Sequence, residues 1–122
     1  MTPFKLAYLG YRHEWESDHL KGTAPDSVEV VTVPQGAERE EMMATARDAD
    51  MIVPWGRSFD LEMAQECKNL KLVQTLSAGT EYIPVAELAE IGVRVANNYG
   101  GNAVAVAEVA IVLMVSAYRQ LM

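Results

Sequence analysis

Residues 70–96 read Leu70-Lys-Leu-Val-Gln-Thr-Leu-Ser-Ala-Gly-Thr-Glu-Tyr-Ile-Pro-Val-Ala-Glu-Leu-Ala-Glu-Ile-Gly-Val-Arg-Val-Ala96. An aliphatic run, Leu72 to Leu76, gives way to a small Gly-containing loop. A helix-length segment from Pro84 to Ile91 follows, then a second aliphatic run from Val93 to Ala96. Pro84 suits a first helical turn, because its missing N–H is one that has no helical partner anyway. Gly92 suits the left-handed residue that ends a helix. Two short apolar strands joined through a helix cannot be a hairpin. They are parallel neighbours, buried on both faces and linked by a right-handed crossover.

The same unit recurs upstream. Phe4 to Leu9, Val28 to Val33 and Met51 to Pro54 are further runs of strand length, rich in aliphatic and β-branched residues. Helical segments fall in part of Tyr11 to Lys21, in Ala37 to Ala49 and in Asp60 to Leu70, and a longer one runs from about Asn102 to the end. The chain is βα repeated five times. Such alternation predicts a doubly wound α/β domain, a parallel sheet with helices on both faces. With 122 residues and no repeat, low-complexity tract or internal linker, the chain holds one such core.

Composition narrows the function classes. Half the residues are hydrophobic and 22% are charged, as in ordinary soluble domains. Ten Lys and Arg against seventeen Asp and Glu give a net charge of −7, which offers no cationic field to nucleic acid or anionic lipid. The single cysteine, Cys67, excludes an internal disulfide and fits a buried position. His13 and His19 lie among Glu14, Glu16 and Asp18, the pattern of a solvated face; no metal-ligand set emerges. The apolar start of the chain reads as a first strand, without a cleavage site after it, so a cytoplasmic location is expected.

The last helix is apolar nearly all round. From Ala103 to Tyr118 its only charge is Glu108. A helix of that kind calls for burial on every side, and it is short and interrupted for a membrane span. No Gly, Asn or Pro follows to end it in Arg119-Gln-Leu-Met122, which reads as a truncation.

In a doubly wound sheet ligands bind beyond the carboxyl ends of the strands. Those loops are Gly10-Tyr-Arg-His13, Pro54-Trp-Gly-Arg-Ser58, Ser77-Ala-Gly-Thr-Glu81 and Asn97-Asn-Tyr-Gly-Gly-Asn102. Ser77 to Thr80 can turn successive backbone N–H groups toward a carboxylate; equally, Gly79 can simply permit a tight turn. Asn102 suits a helix N-cap. Trp55 and Arg57 can wall a pocket, or serve as a core plug and a solvated charge. No Gly-x-Gly-x-x-Gly and no phosphate-loop motif follows any strand, so no cofactor is expected on the chain itself.

Three blocks together carry a resemblance. They are Leu70 to Val85, then Gly92-Val-Arg-Val-Ala-Asn-Asn98, then Gly100-Gly-Asn-Ala-Val-Ala-Val-Ala-Glu108. In order and spacing they resemble the N-terminal portion of the D-2-hydroxyacid dehydrogenases, the group that contains phosphoglycerate dehydrogenase, glyoxylate reductase and formate dehydrogenase. The resemblance implies a flavodoxin-like, three-layer substrate-binding domain over residues 1–101, strand order 2-1-3-4-5. It implies that residues 102–122 form the helix leading to an NAD(P)-binding domain. It implies that Ala78 and Gly79 supply the backbone that holds a substrate carboxylate, and that Asn102 faces the cleft. Where many relatives have Arg-Ser after the third strand, this chain has Pro54-Trp55-Gly56-Arg57, which leaves the choice of substrate open. The candidate substrate-binding set is therefore Trp55, Gly56, Ser77, Ala78, Gly79 and Asn102. The family's catalytic Arg, Glu and His and its dinucleotide loop belong to a segment that is not here. Expected are a lobe that is not catalytic alone, weak affinity for a small 2-hydroxy or 2-oxo acid, and a homodimer through the 102–122 helix.

Other functions of the same topology fare worse. A phosphorylated receiver needs an acidic pair after the first strand and an Asp after the third, where Gly10-Tyr11 and Pro54-Trp55 stand. A flavodoxin needs a Ser/Thr/Gly-rich loop after the first strand. A self-sufficient enzyme acting through His13 lacks a partner for that histidine. A binding or signalling module without activity is the remaining alternative.

Overall fold

A computed structural model describes residues 3–121; Met1 and Thr2, at the start of the expected first strand, and Met122, at the end of the expected last helix, lie outside the described residues. In chain order the elements are β1 (Phe4–Tyr11), α1 (Glu14–Thr23), β2 (Val28–Pro34), α2 (Arg39–Ala46), β3 (Met51–Pro54), α3 (Leu61–Glu66), β4 (Leu72–Gln74), α4 (Val85–Glu90), β5 (Arg94–Ala96) and α5 (Ala103–Tyr118). The five strands pair in parallel in the order β2-β1-β3-β4-β5. This is the flavodoxin-like topology that the resemblance implies, and it puts every strand's carboxyl end on one edge.

One sheet face carries the core. Ala7, Leu9, Val33, Ile52 and Val73 alternate along their strands onto that face and meet Met43 and Ala46 of α2, Met63 and Ala64 of α3, and Leu88 of α4. Cys67, Phe59 and Ile83 complete it, so Cys67 is the buried apolar side chain expected. Burial pushes its thiol pKa up, which keeps it protonated and inert. The opposite face presents Leu6, Tyr8, Thr32 and Val53, and α1 lies on it. Ser17 Oγ and Thr32 Oγ1 share a hydrogen bond of 2.9 Å, and Tyr8 Oη donates to Glu16 at 2.8 Å. Burial first, and this bond second, push the Tyr8 pKa up to about 12.

Strand β3 coincides with its expected limits, and the other boundaries move for identifiable reasons. β1 continues to Tyr11 because its register shifts between Leu9 and Tyr11, a bulge that Gly10 makes possible at φ +89°. β4 stops at Gln74 instead of Leu76: Thr75 Oγ1 donates to Ser77 O at 2.9 Å and turns the chain off the sheet. α3 covers only Leu61–Glu66, since Cys67 leaves helical geometry (φ −86°, ψ 83°). Pro84 stands at the N-cap of α4, one position before the first turn. Gly92, at φ +82°, ends that helix as expected. At the far end α5 is closed by a left-handed residue that the sequence does not advertise. Gln120 has φ +53°, and Leu121 N donates to Ser116 O at 3.0 Å.

Helix α5 stands clear of the sheet. None of its described residues is buried, and Val104, Ile111 and Met114 are 73%, 58% and 64% exposed. The burial on every side that its composition calls for is not met within this chain. No helix among the described residues is long and apolar enough to cross a membrane.

Asp60 ties α3 to α2. Its Oδ1 accepts from Met63 N at 2.9 Å as a helix N-cap, and Arg39 reaches both carboxylate oxygens, at 2.6 and 3.2 Å. The Arg39 hydrogen bonds hold the Asp60 carboxyl below its usual range. The folded pKa is thus lower than the unfolded value of about 3.9. Its stabilisation is present above that value and is lost as the pH falls through the folded one. Because both side chains are about half exposed, the cap carries most of the effect. Asp60→Ala is expected to cost about 1 kcal/mol at neutral pH. In urea titrations the gap between variant and parent should narrow progressively below pH 4; a constant gap would show that the carboxylate's charge plays no part.

Candidate functional site

At the carboxyl edge, the loop after β4 lies against the loop after β5. Asn97 Nδ2 donates to Ala78 O at 2.6 Å, Asn98 N to Ser77 O at 3.1 Å, and Asn98 Nδ2 reaches Leu76 O at 3.4 Å. Ser77 Oγ donates to Gly79 O at 2.8 Å and meets Tyr82 Oη at 2.7 Å. The carbonyls of Leu76 to Gly79 are therefore engaged from within the protein. The amides are different: among the described residues neither Ala78 N nor Gly79 N donates to a protein acceptor. Paired carbonyls and open N–H groups on one turn make a surface that favours an anion.

Glu81 bears on that surface. Its carboxylate lies over the Cα of Gly79, so closely that a Cβ on Gly79 would collide with both Glu81 oxygens. Two roles for Gly79 thus coincide: it leaves space beside the open amides, and a flexible acidic side chain now fills that space. An incoming carboxylate has to displace Glu81.

The second cluster surrounds the end of β3. Trp55 N donates to Leu9 O at 2.8 Å, and Ser58 Oγ donates to the same carbonyl at 3.2 Å. Gly10 lies so near that a Cβ there would stand 3.3 Å from Trp55 Cβ. The Arg12 guanidinium sits over the indole, 5.7 Å from its centroid, and Gly56 takes φ +58° to turn the loop away. Trp55 is half-buried and Arg57 exposed. Trp55 is thus a wall and not a core plug.

Asn102 immediately precedes α5 but does not cap it. Its side chain makes no cap hydrogen bond, while its carbonyl accepts from Val106 N at 3.0 Å. The sequence-based expectation of a plain side-chain cap is therefore corrected, and the amide stays free. The structure joins Ser77 and Ala78 to Asn97 and Asn98, and it sets Trp55 beside Gly10 and Arg12. No hydrogen bond links Asn102 to the 77–79 turn. Sequence reasoning passed over Asn97, Asn98 and Arg12 as individuals. A doubled Asn directly after a strand was the available signal for the first two; nothing short of the folded β1–β3 contact marks Arg12.

Beside the rim lies an open groove of about 550 Å³ on the α1 side of the sheet, with Leu6, Tyr8, Trp15, Val53, Trp55 and Leu76 among its walls. It is apolar apart from Glu16, His19 and Gln74. The Arg12 N–H first, and the Tyr8 hydroxyl second, hold the Glu16 carboxyl below its usual range. Both histidines are exposed, as their neighbours suggested.

A dinucleotide does not fit the β1–α1 turn. The first turn of α1 carries Glu14 and Glu16, and Glu16 already accepts the Arg12 N–H at 3.1 Å. An acidic helix start repels a pyrophosphate. No group of His, Cys, Asp and Glu among the described residues is arranged to hold a metal ion.

Fold and rim together define a doubly wound α/β domain with an anion-favouring turn after its fourth strand. The model of the D-isomer specific 2-hydroxyacid dehydrogenase catalytic domain matches residues 12–118, and the chain belongs to that family. A D-3-phosphoglycerate dehydrogenase of Archaeoglobus fulgidus is 34% identical over 92 residues, 75% of this chain and 18% of that protein. Its counterpart from Methanocaldococcus jannaschii is 28% identical over 97 residues, 79% of this chain and 18% of that one. The chain thus spans under a fifth of the length of these relatives. The solved 2-hydroxyacid dehydrogenase from Ketogulonicigenium vulgare Y25 superposes with a TM-score of 0.75 at 21% identity, covering 99% of this chain and 37% of that one. An NAD-dependent formate dehydrogenase from Staphylococcus aureus, in complex with NAD, gives 0.70 at 19% identity over 96% of this chain and 40% of that one. At such identities the superpositions establish the fold.

Proposed function

We propose that this chain is the substrate-binding lobe of an NAD(P)-dependent oxidoreductase that interconverts 2-hydroxyacids and 2-oxoacids, and that the lobe alone does not turn over substrate. The open amides of Ala78 and Gly79, at the carboxyl end of β4 with their carbonyls tied to Asn97 and Ser77, carry this reading. Two N–H groups presented side by side suit one carboxylate. Asn102, not spent as a cap, supplies an amide to the same cleft, while Trp55 and Gly56 bound the space for the rest of the acid. NAD(P) belongs to a further domain of the longer protein, since this chain's β1–α1 turn does not fit it. Hydride transfer needs that cofactor and a positioned acid–base group, and this lobe supplies neither. Half of a two-walled cleft encloses little of a small ligand, so affinity is weak. The same reading places the protein in the cytoplasm and pairs two copies through the 102–122 helix, whose apolar side chains are uncovered.

Titrating the ¹⁵N-labelled chain with glyoxylate tests the site. Amide shifts are expected at Ala78, Gly79 and Thr80 and at the Asn102 side chain, with a millimolar dissociation constant and no oxidation of added NADH. Glu81→Gln should tighten binding. Removing one like charge about 5 Å away in solvent is worth about a factor of 3–4. Shifts that avoid the 77–80 turn, or tighter binding by the parent than by Glu81→Gln, would overturn the assignment.

A further inference from the structure

Arg12 is fixed at the rim by its backbone while its charge stays open. Its N–H donates to Glu16 Oε2 at 3.1 Å, the oxygen that also takes the Tyr8 hydroxyl at 2.8 Å, so one carboxylate fastens the β1–α1 loop to the sheet. Glu14, the other acid of that turn, accepts from Tyr11 Oη at 3.1 Å. The Arg12 guanidinium lies over the Trp55 indole instead. Among the described residues no carboxylate pairs with it, whereas Arg39 is held by Asp60 and Glu62 and Lys71 by Asp50. An arginine laid on an aromatic face keeps its fork of N–H donors for a planar anion.

The strand order sets the distance from this cation to the candidate site. β3 pairs β1 on one side and β4 on the other, so the ends of the three strands stand in a row along the carboxyl edge. Trp55 follows β3, and it walls the same groove as Leu76, which follows β4. A guanidinium over Trp55 is therefore one to two strand spacings, roughly 5–10 Å, from the open amides of Ala78 and Gly79. A short chain with an anionic group at each end bridges that span.

We propose that Arg12 is a specificity residue of the lobe. It receives a second anionic group, carboxylate or phosphate-like, at the far end of a 2-oxo acid whose first carboxylate sits on the Ala78 and Gly79 amides. The inference rests on the substrate-binding reading above and adds the class of acid. Arg12 lies outside the three blocks at residues 70–108 that carry the family resemblance, so nothing in that resemblance assigns it. Charge sharpens the argument. The chain's net charge of −7 opposes a dianion, and Glu81 adds to that opposition at the turn. A dianion gains over a monoanion of the same length only where a free cation meets it. Arg57 is the other cation of the β3 loop, exposed beyond the turn that Gly56 makes, and no aromatic ring holds it among the described residues.

The test is a titration of the ¹⁵N-labelled chain at low ionic strength with 2-oxopentanoate, 2-oxoglutarate and phosphonopyruvate. The first two have the same carbon chain and differ by one carboxylate. All three should shift the amides of residues 78–80. 2-Oxoglutarate should bind about fivefold more tightly than 2-oxopentanoate, with added shifts at Arg12 Nε–H and the Trp55 indole N–H. Phosphonopyruvate should bring the same added shifts, and the tighter of the two dianions identifies the second group as carboxylate or phosphate-like. In Arg12→Gln, at an exposed position, the ratio between 2-oxopentanoate and 2-oxoglutarate should fall to about one, while Arg57→Gln should keep it. Equal binding of these two acids by the parent, a preference that survives Arg12→Gln, or one lost in Arg57→Gln instead, overturns the role of Arg12 and leaves the lobe reading standing. Shifts that avoid the 77–80 turn overturn that reading, and this inference with it.

Discussion

Ile52→Ala is expected to lower stability by about 3–4 kcal/mol, the cost of a cavity in a site that cannot collapse. Ile52 lies in the central strand β3, in register with Ala7 on one side and Val73 on the other, and all three are fully buried. Met63 and Leu88 of the same buried core belong to α3 and α4. None of these elements can settle into the gap without disturbing the strand pairing. A domain of this size has about 5–15 kcal/mol in total, so the melting temperature should fall by about 10–15 °C. Ile52→Val should cost about 1 kcal/mol. Urea midpoints followed by circular dichroism decide the matter. A loss below 1 kcal/mol for the alanine variant would mean that the core is far looser than the packing described above.

Gly10→Val is the second large effect, and it acts on both fold and rim. Gly10 is the bulge residue of β1, at φ +89°, a conformation that a β-branched residue rarely adopts. Its added Cβ would also stand 3.3 Å from Trp55 Cβ, and further methyls would press harder. Backbone strain and crowding together are expected to cost about 2–4 kcal/mol. Relief has to come from Trp55, the nearest neighbour of the added Cβ, whose backbone N–H is held by the Leu9 carbonyl.

 That bond, from Trp55 N to Leu9 O at 2.8 Å, must lengthen if the indole moves, and the Arg12 stacking on the ring goes with it. Gly10→Ala should lie between parent and valine variant. With Trp15 replaced by Phe, the emission of Trp55 reports the displacement. A valine variant with parental stability and emission would refute the claim that this position requires glycine.

Much of the architecture was legible in the chain because the strands of a parallel sheet are apolar on both faces and stand out as uninterrupted runs. Met51 to Pro54 is the clearest case, and its limits are reproduced. Ends were less legible, since they depend on side chains that turn the backbone locally. Thr75 ends β4 by bonding to Ser77, and Cys67 ends α3, yet neither residue type forbids continuation. The left-handed Gln120 that closes α5 is another such case, for a glutamine carries no signal for that conformation. Site residues divide the same way. Gly79 and Ala78 could be picked out because a small Gly-containing loop between strand and helix can turn successive N–H groups toward an anion. Asn97 was marked only by the doubled Asn after β5, because its bond to Ala78 reaches 19 residues back along the chain.

Local chemistry along the chain was enough to determine the succession of strands and helices, the single core, the acidic surface and the family to which the three blocks at residues 70–108 point. Those properties follow from the order and polarity of neighbouring residues. Only the tertiary structure decided that the Ala78 and Gly79 amides are open while their carbonyls are tied, that Glu81 overlies them, and that Asn102 does not cap its helix. It also left α5 uncovered and an apolar groove open on the α1 side of the sheet. Each of these depends on which distant segments the sheet brings together at its carboxyl edge, and contacts between residues far apart in the chain leave no pattern in either segment alone.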